Sequence, residues 1–260
     1  MKVIDLENKY IGAFFCCLEE YSEDMRDAGD SKRRWFEKMS EKGLRVKLAL
    51  DDDENLGGMI QYLPIECSIA DGEGLYFILC IWVHGHTKGR GNFQKKGMGK
   101  ALLESAENDA RQLGAKGIAA WGVSFPFWMK ASWFKKRGYQ KVDKKGMQVL
   151  LWKPFLDLAI PPRWFRQKKE IPLNPGRVTV SAFNSGWCQS LNITYERVMR
   201  AVSEFGDKVV LKEYETSDRA IQEEWGISDA IFLDRKIISW GPPMSYEKIL
   251  NKISKKVKKL

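Results

Sequence analysis

Gln94-Lys95-Lys96-Gly97-Met98-Gly99 stands between an apolar run and an amphipathic one. Before it, residues 75–83 read Leu-Tyr-Phe-Ile-Leu-Cys-Ile-Trp-Val. That length, with its β-branched and aromatic content, predicts a strand buried on both faces. After it, Leu103, Ala106, Ala110 and Leu113 recur at helical spacing, and Gly114 stops the helix they define. The two glycines therefore fall where a buried strand hands over to a helix N-terminus. Unpaired backbone N–H groups and the positive end of the helix dipole make such a place an anion site. Glycine also lets a ligand approach the backbone with no Cβ in the way. A phosphate-bearing ligand is the first expectation, and a ligand-free turn is the alternative.

Spacing narrows the ligand. A Walker loop needs Gly, four residues, then Gly-Lys-Ser/Thr; Gly91 to Gly97 is one residue too long, and Met98 follows. The dinucleotide fingerprint needs a third glycine where Leu102 stands. What remains, Gln-x-x-Gly-x-Gly, resembles the pyrophosphate loop of the GNAT superfamily of acyl-CoA-dependent N-acetyltransferases. A second likeness lies in Ala131-Ser-Trp-Phe-Lys-Lys-Arg-Gly-Tyr. The predicted element order over residues 1–153 (helix, helix, hairpin, strand, helix, strand, helix, hairpin) is the GNAT order as well.

A length of 260 residues and 44% hydrophobic composition suit one large or two modest globular domains. The net charge of +9 sits partly in local lysine clusters, the tail from Lys252 alone holding five lysines. Such a balance suits an anionic cofactor as well as nucleic acid, and nucleic acid is the less favoured partner. Cys16, Cys17, Cys67, Cys80 and Cys188 are odd in number and show no Cys-x-x-Cys spacing. A reducing cytoplasm is expected from that pattern. The N-terminal residues lack a signal-peptide apolar region, and no run approaches the roughly 20 apolar residues of a membrane span.

In chain order, residues 3–6 suggest a strand, 8–21 a helix, and 31–41 a second helix capped by Ser31 and broken by Gly43. Residues 45–50 and 57–65 form a predicted hairpin around Asp51-Asp-Asp-Glu-Asn. Residues 117–123 are the next strand. Pro126 suits the first turn of a short helix with Trp128, Ala131 and Phe134 on one side and Gly138 at its end. Residues 140–143 and 147–152 close a first domain, 1–153. Five prolines between residues 154 and 177 mark a linker or strap, and Trp164 and Phe165 suggest that it packs on a surface. Beyond it the pattern is strand 177–183, helix 190–205, strand 208–214, helix 217–225, a hairpin of 230–234 with 237–240, and a last helix capped by Ser245. With Gly186-Trp187-Cys188 before its first helix, that order resembles a thioredoxin-like fold over residues 178–260. The whole chain resembles the YoaP-type acetyltransferases. The expected fold class is α/β (α+β), a GNAT mixed sheet flanked by helices and followed by a smaller thioredoxin-like domain.

The resemblance implies acetyl-CoA as co-substrate and an acetyl transfer to the amine of a small-molecule acceptor, by direct attack in a ternary complex. It implies pyrophosphate binding by backbone N–H groups of Gln94, Lys95, Lys96, Gly97, Met98, Gly99 and Lys100. Pantetheine would add to the splayed strand edge at Trp82 and Val83, whose backbone would also offer an oxyanion donor. A base must take the amine proton; His84 and Glu73 are the candidates, with Glu66 beside them. Cys80, Trp82, His84 and His86 share a strand face by parity, but the spacing matches no zinc motif and no metal is assigned. Where many family members carry a tyrosine that protonates the leaving thiolate, four residues before Gly138, stands Phe134. A catalytically silent acyl-CoA sensor therefore stays open. Cys188 falls at the nucleophilic thioredoxin position, with Leu191 where a resolving cysteine would be, so a single-cysteine thiol module is a further alternative. A homodimer is compatible with the resemblance, and no membrane partner is expected.

Overall fold

The computed structural model describes residues 1–125, 128–239 and 242–260. The chain divides into two compact units, Met1–Tyr21 with Glu37–Trp164, and Ser22–Phe36 with Phe165–Leu260.

The first unit contains β1 (Lys2–Asp5), α1 (Ile11–Phe15), the C-terminal part of α2 (Ser31–Ser40), β2 (Arg45–Leu50), β3 (Leu56–Pro64) and β4 (Ala70–Asp71). It continues through β5 (Leu75–Val83), α3 (Met98–Gln112), β6 (Gly117–Val123), α4 (Ala131–Lys135), β7 (Gln140–Lys145), β8 (Gln148–Pro154) and β9 (Arg163–Trp164). Seven strands form a mixed sheet in the order β1-β2-β3-β5-β6-β8-β7, in which only β5 and β6 run parallel. β3 and β6 are buried almost end to end, as strands covered on both faces must be. β5 is buried from Phe77 to Cys80, whereas its last three residues are only half-buried.

α3 is fixed on the sheet by one polar cluster. Arg45 holds Asp109 through two hydrogen bonds of 3.0 and 3.2 Å, and the Tyr62 hydroxyl donates to the same carboxylate at 2.6 Å. Lys47, itself buried, lies 3.7 Å from Asp109. Burial alone would raise the Asp109 pKa, but the Tyr62 and Arg45 hydrogen bonds outweigh it and hold the carboxyl below its ordinary range.

Two expected helices are shorter than their patterns. The helix expected over 8–21 reduces to a 3-10 turn and α1, because Cys17 (φ 51°) and Leu18 (φ 63°) are left-handed. That turn delivers Leu18 into full burial, so tertiary packing overrides local propensity. The helix expected from Pro126 is only α4. Pro126 lies outside the described residues, Met129 is left-handed (φ 53°), and Val123 N–H bonds the Met129 carbonyl at 2.7 Å, so Trp128 precedes the helix. The start of the expected strap lies within the first unit: β9 pairs with β4, and the Trp164 N–H donates to Asp143 at 2.8 Å.

The second unit holds β10 (Val178–Asn184), α5 (Gln189–Ser203), β11 (Val209–Glu215), α6 (Arg219–Trp225), β12 (Ala230–Leu233), β13 (Lys236–Ser239) and α7 (Tyr246–Val257). Trp240, expected at the end of the hairpin, lies outside the described residues. The sheet order is β11-β10-β12-β13, with β10 and β11 parallel and the other pairs antiparallel. Alternation along β10 sends Val178 and Val180 to a core shared with Val198 of α5 and Ile249 and Ile253 of α7. Phe183 points to the other face, with Trp225 of α6, Phe232 and Ile171. Residues 22–36 belong to this unit for an electrostatic reason. Arg197, only 8% exposed, binds Asp24 at 2.5 Å and Asp27 at 2.9 Å, and Arg200 binds Asp27 at 2.8 Å.

Candidate acyl-donor site

The site begins with a bulge. Across β3 and β5, Cys80 faces Gln61 and Ile78 faces Tyr62, which leaves Leu79 unmatched. On its other side β5 pairs with β6 only from Leu75 to Ile78. From residue 79 onward β5 follows β3 while β6 follows β8, so the sheet opens into a notch. One backbone group in the opening is already used: Trp121 Nε1 donates to the Leu79 carbonyl at 2.8 Å. Among the described residues no strand pairs with β5 at positions 79–83 on the β6 side. An extended chain can add there by main-chain hydrogen bonds.

The glycine turn lies at the end of the same strand. The segment leaving Val83 is pinned by the His84 N–H on the Gly57 carbonyl and the Phe93 N–H on the His84 carbonyl, both 2.9 Å. Phe93 and Met98 pack where a side chain on Gly57 would stand. The Gln94 N–H then bonds Asn92 Oδ1 at 2.9 Å, and the Gln94 side chain fills the space beside Gly85. Lys95 is left-handed (φ 62°), and so is Gly97 (φ 88°), the N-cap of α3. No side chain caps α3, so the first N–H groups of the helix face outward with only backbone geometry to direct them. Gly99 lies 3.5 Å from Trp133 and 3.7 Å from Val83, measured from an added Cβ, which brings helix, notch and α4 together. Arg137 stacks on Trp133 at 3.7 Å, and burial lowers its pKa. Lys95, Lys96 and Lys100 are exposed around the turn.

The proposed bases separate in space. His84 is fully buried next to the turn; its Nδ1–H donates to the Gly91 carbonyl at 2.7 Å. In the neutral ring that bond places the proton on Nδ1 and makes Nε2 the acceptor; Nε2 is buried and has no hydrogen-bond partner. The His84 ring meets Tyr21 and His86 edge-on, each 5.6 Å away between centroids, and His86 lies 6.4 Å from Trp82. β5 ends at Val83, so His84 and His86 lie beyond the strand, and the parity expected to join them to Cys80 and Trp82 does not extend to them. Glu73 is not brought to this place. It is exposed at the opposite end of β5, and ten residues at about 3.3 Å each put it on the order of 30 Å from Val83. Glu66 is occupied in that distant turn, accepting from the Gly74 N–H at 2.7 Å.

Phe134 is wholly buried between Trp133 and Tyr139. Tyr139 is only 3% exposed, and burial, with the Glu107 carboxylate behind it, raises its phenol well above the ordinary value. In the second unit, Cys188 is the half-buried N-cap of α5. In the same unit Asp229 accepts from the Ser185 N–H, the Ser185 hydroxyl and Trp187 Nε1, yet complete burial still raises its pKa. Trp121, Gly57, Trp133 and Asp229 escaped the sequence reading, because each acts through a partner far away in sequence. The one usable signal was glycine within a strand pattern, at Gly57.

An open strand edge beside an uncapped helix N-terminus, in an α/β fold, suits an extended ligand with an anionic end. The model of the Acetyltransferase (GNAT) family matches residues 5–139, more than half of the chain. The chain belongs to that family. A search of curated proteins returns no match. Among solved structures the chain is similar to aminoglycoside 6'-acetyltransferase type Ii, at 17% identity and TM-score 0.44, over 59% of this chain and 97% of that one. PaiA N-acetyltransferase from Thermoplasma acidophilum in complex with coenzyme A is 15% identical, with TM-score 0.42, over 60% and 100%. A GNAT family acetyltransferase from Brucella melitensis in complex with acetyl-CoA is 13% identical, with TM-score 0.41, over 63% and 94%. Among the described residues no helix is long and apolar enough to cross a membrane.

Proposed function

We propose that the protein transfers the acetyl group of acetyl-CoA to the amine of a small molecule, by direct attack in a ternary complex. The observation that carries this reading is the opening of β5 from β6 after Ile78, beside the uncapped N-terminus of α3. The cradle fits a pyrophosphate: Gly97 is left-handed, with nothing nearer to an added Cβ than Met1 Cε at 3.8 Å. Backbone N–H groups from Lys95 to Gly99 would hold the phosphates, since those of Gln94 and Lys100 already bond Asn92 Oδ1 and the Gly97 carbonyl, and the edge of β5 at residues 79–83 would hold the pantetheine. The co-substrate supplies an activated acetyl thioester. Of the two candidates Trp82 and Val83, Val83 would offer its backbone N–H to developing negative charge, since the His84 N–H turns to β3 and the Trp82 N–H, two residues before it, turns the same way.

His84 is the base in this reading, because its Nε2 carries a lone pair that no neighbour uses. Glu73 has no part in it, given its distance. Neither Phe134, which has no proton to give, nor Tyr139, buried with a raised pKa, donates to the departing sulfur. The thiol of CoA therefore leaves as thiolate and takes its proton from water. The same burial of Phe134 favours a second reading, an acyl-CoA sensor without turnover. We further read residues 178–260 as thioredoxin-like, supported by the order β11-β10-β12-β13 with its single parallel pair. Residues 1–153 are the acetyltransferase domain in this division, and 154–177 the strap.

Thiol release from acetyl-CoA across a panel of amines, with mass analysis of the products, tests the reading. Thiol and acetylated amine should appear in equal amounts. Binding of acetyl-CoA without either product would favour the sensor.

A further inference from the structure

The second unit holds a cavity of about 440 Å³ at the C-terminal ends of the parallel strands β10 and β11. Open α/β sheets bind ligands outside the carboxyl ends of their strands, and this volume is in the range of small-molecule sites. The chemistry of its walls is directional. Glu213 and Glu215 are two apart on β11, so both carboxylates lie on one face of the strand. Tyr214 between them faces away and stacks on Phe183 at 4.3 Å. The Tyr195 hydroxyl donates to Glu213, and the Ser217 hydroxyl donates to Glu215 at 2.6 Å, so both carboxylates are oriented. Trp35 and Tyr195 add aromatic surface. The cavity's single cationic side chain, Arg34, donates to Ser31 Oγ at 3.3 Å. Two carboxylates against one guanidinium leave the lining net negative in a chain of net charge +9.

We infer that this cavity binds a small organic cation carrying primary ammonium groups, of the diamine or polyamine class. An ammonium offers three donors to oriented carboxylates, and aromatic faces stabilise it further. The cavity lies wholly within the second unit, and the inference does not rest on the acyl-transfer reading.

Isothermal titration of the full chain, without acetyl-CoA, tests it with spermidine, cadaverine and lysine as probes. Spermidine and cadaverine should bind with one-to-one stoichiometry. Glu213→Gln with Glu215→Gln should weaken both at least tenfold in a protein that melts as the parent does. Glu215→Gln alone, at an exposed position, should weaken them at least threefold should the double variant fail to fold. Arg34→Ala should leave binding unchanged or tighter. Absence of binding, or equal binding by the Gln variants, would overturn the inference. So would lysine binding more tightly than cadaverine, since the site would then read a carboxylate through Arg34.

Discussion

Replacing Gly97 by Trp separates the ligand role of the glycine turn from its role in the fold, and Gly114→Trp provides the control. Both glycines are left-handed, at φ 88° and 80°. Neither is crowded: an added Cβ meets Met1 Cε at 3.8 Å in one case and nothing within 4 Å in the other. The cost of a side chain is therefore the left-handed backbone itself, about 1–2 kcal/mol for an L-residue. At roughly 2–4 °C per kcal/mol for a domain of this size, both variants should melt only a few degrees below the parent. They differ in what the backbone serves. At position 97, relaxation toward negative φ turns away the N–H groups that open α3, and a retained geometry places an indole over them. Either outcome should raise the acetyl-CoA dissociation constant at least tenfold, about 1.4 kcal/mol. Gly114→Trp should leave it within about twofold, because position 114 closes α3 far from the turn. Titration calorimetry of the two folded variants is the assay. Equal affinities would refute the argument that this turn holds the phosphates.

Further outcomes follow from the same geometry. His84→Asn keeps a donor for the Gly91 carbonyl and removes the bare Nε2, so kcat should fall about 100-fold or more while acetyl-CoA affinity holds; an unchanged kcat would release His84 from the role of base. Phe134→Tyr should cost about 1–3 kcal/mol, as a hydroxyl in a fully buried site without a partner, and should not raise kcat; a gain in kcat would show that this position reaches the departing thiolate. Asp109→Asn breaks a buried cluster and should destabilise by about 3 kcal/mol in urea titrations. The Asp109 pKa is depressed in the folded state, so its stabilisation is present above the unfolded value of about 4 and is lost as pH falls through the folded one. Acid unfolding should therefore flatten in the Asn variant, and an unchanged acid limb would contradict the assignment.

Much of the first unit was legible because its signals are local. The apolar run at 75–83, the spacing of Leu103, Ala106 and Ala110, and the stops at Gly114 and Gly138 each describe one element and needed no partner. The notch was foreseen only through resemblance. Its physical causes, the bulge at Leu79 and the Trp121 hydrogen bond, are contacts between strands that no single segment records. Tertiary burial also shortened the helix expected to run to residue 21, since Leu18 reaches the core only by leaving helical geometry. Glu73 is expected at a hairpin end close to the site, yet it precedes β5, and an extended strand carries its two ends far apart. The grouping of residues 22–36 with the second unit rests on Arg197 and two aspartates about 170 positions away. No composition shift announces such a pairing.

The most direct measurement is a crystal structure of the full chain soaked with CoA. The account predicts phosphate oxygens within hydrogen-bonding distance of the backbone N–H groups that open α3, and pantetheine along β5 at residues 79–83. CoA bound elsewhere on the chain, with the notch still vacant, would contradict it.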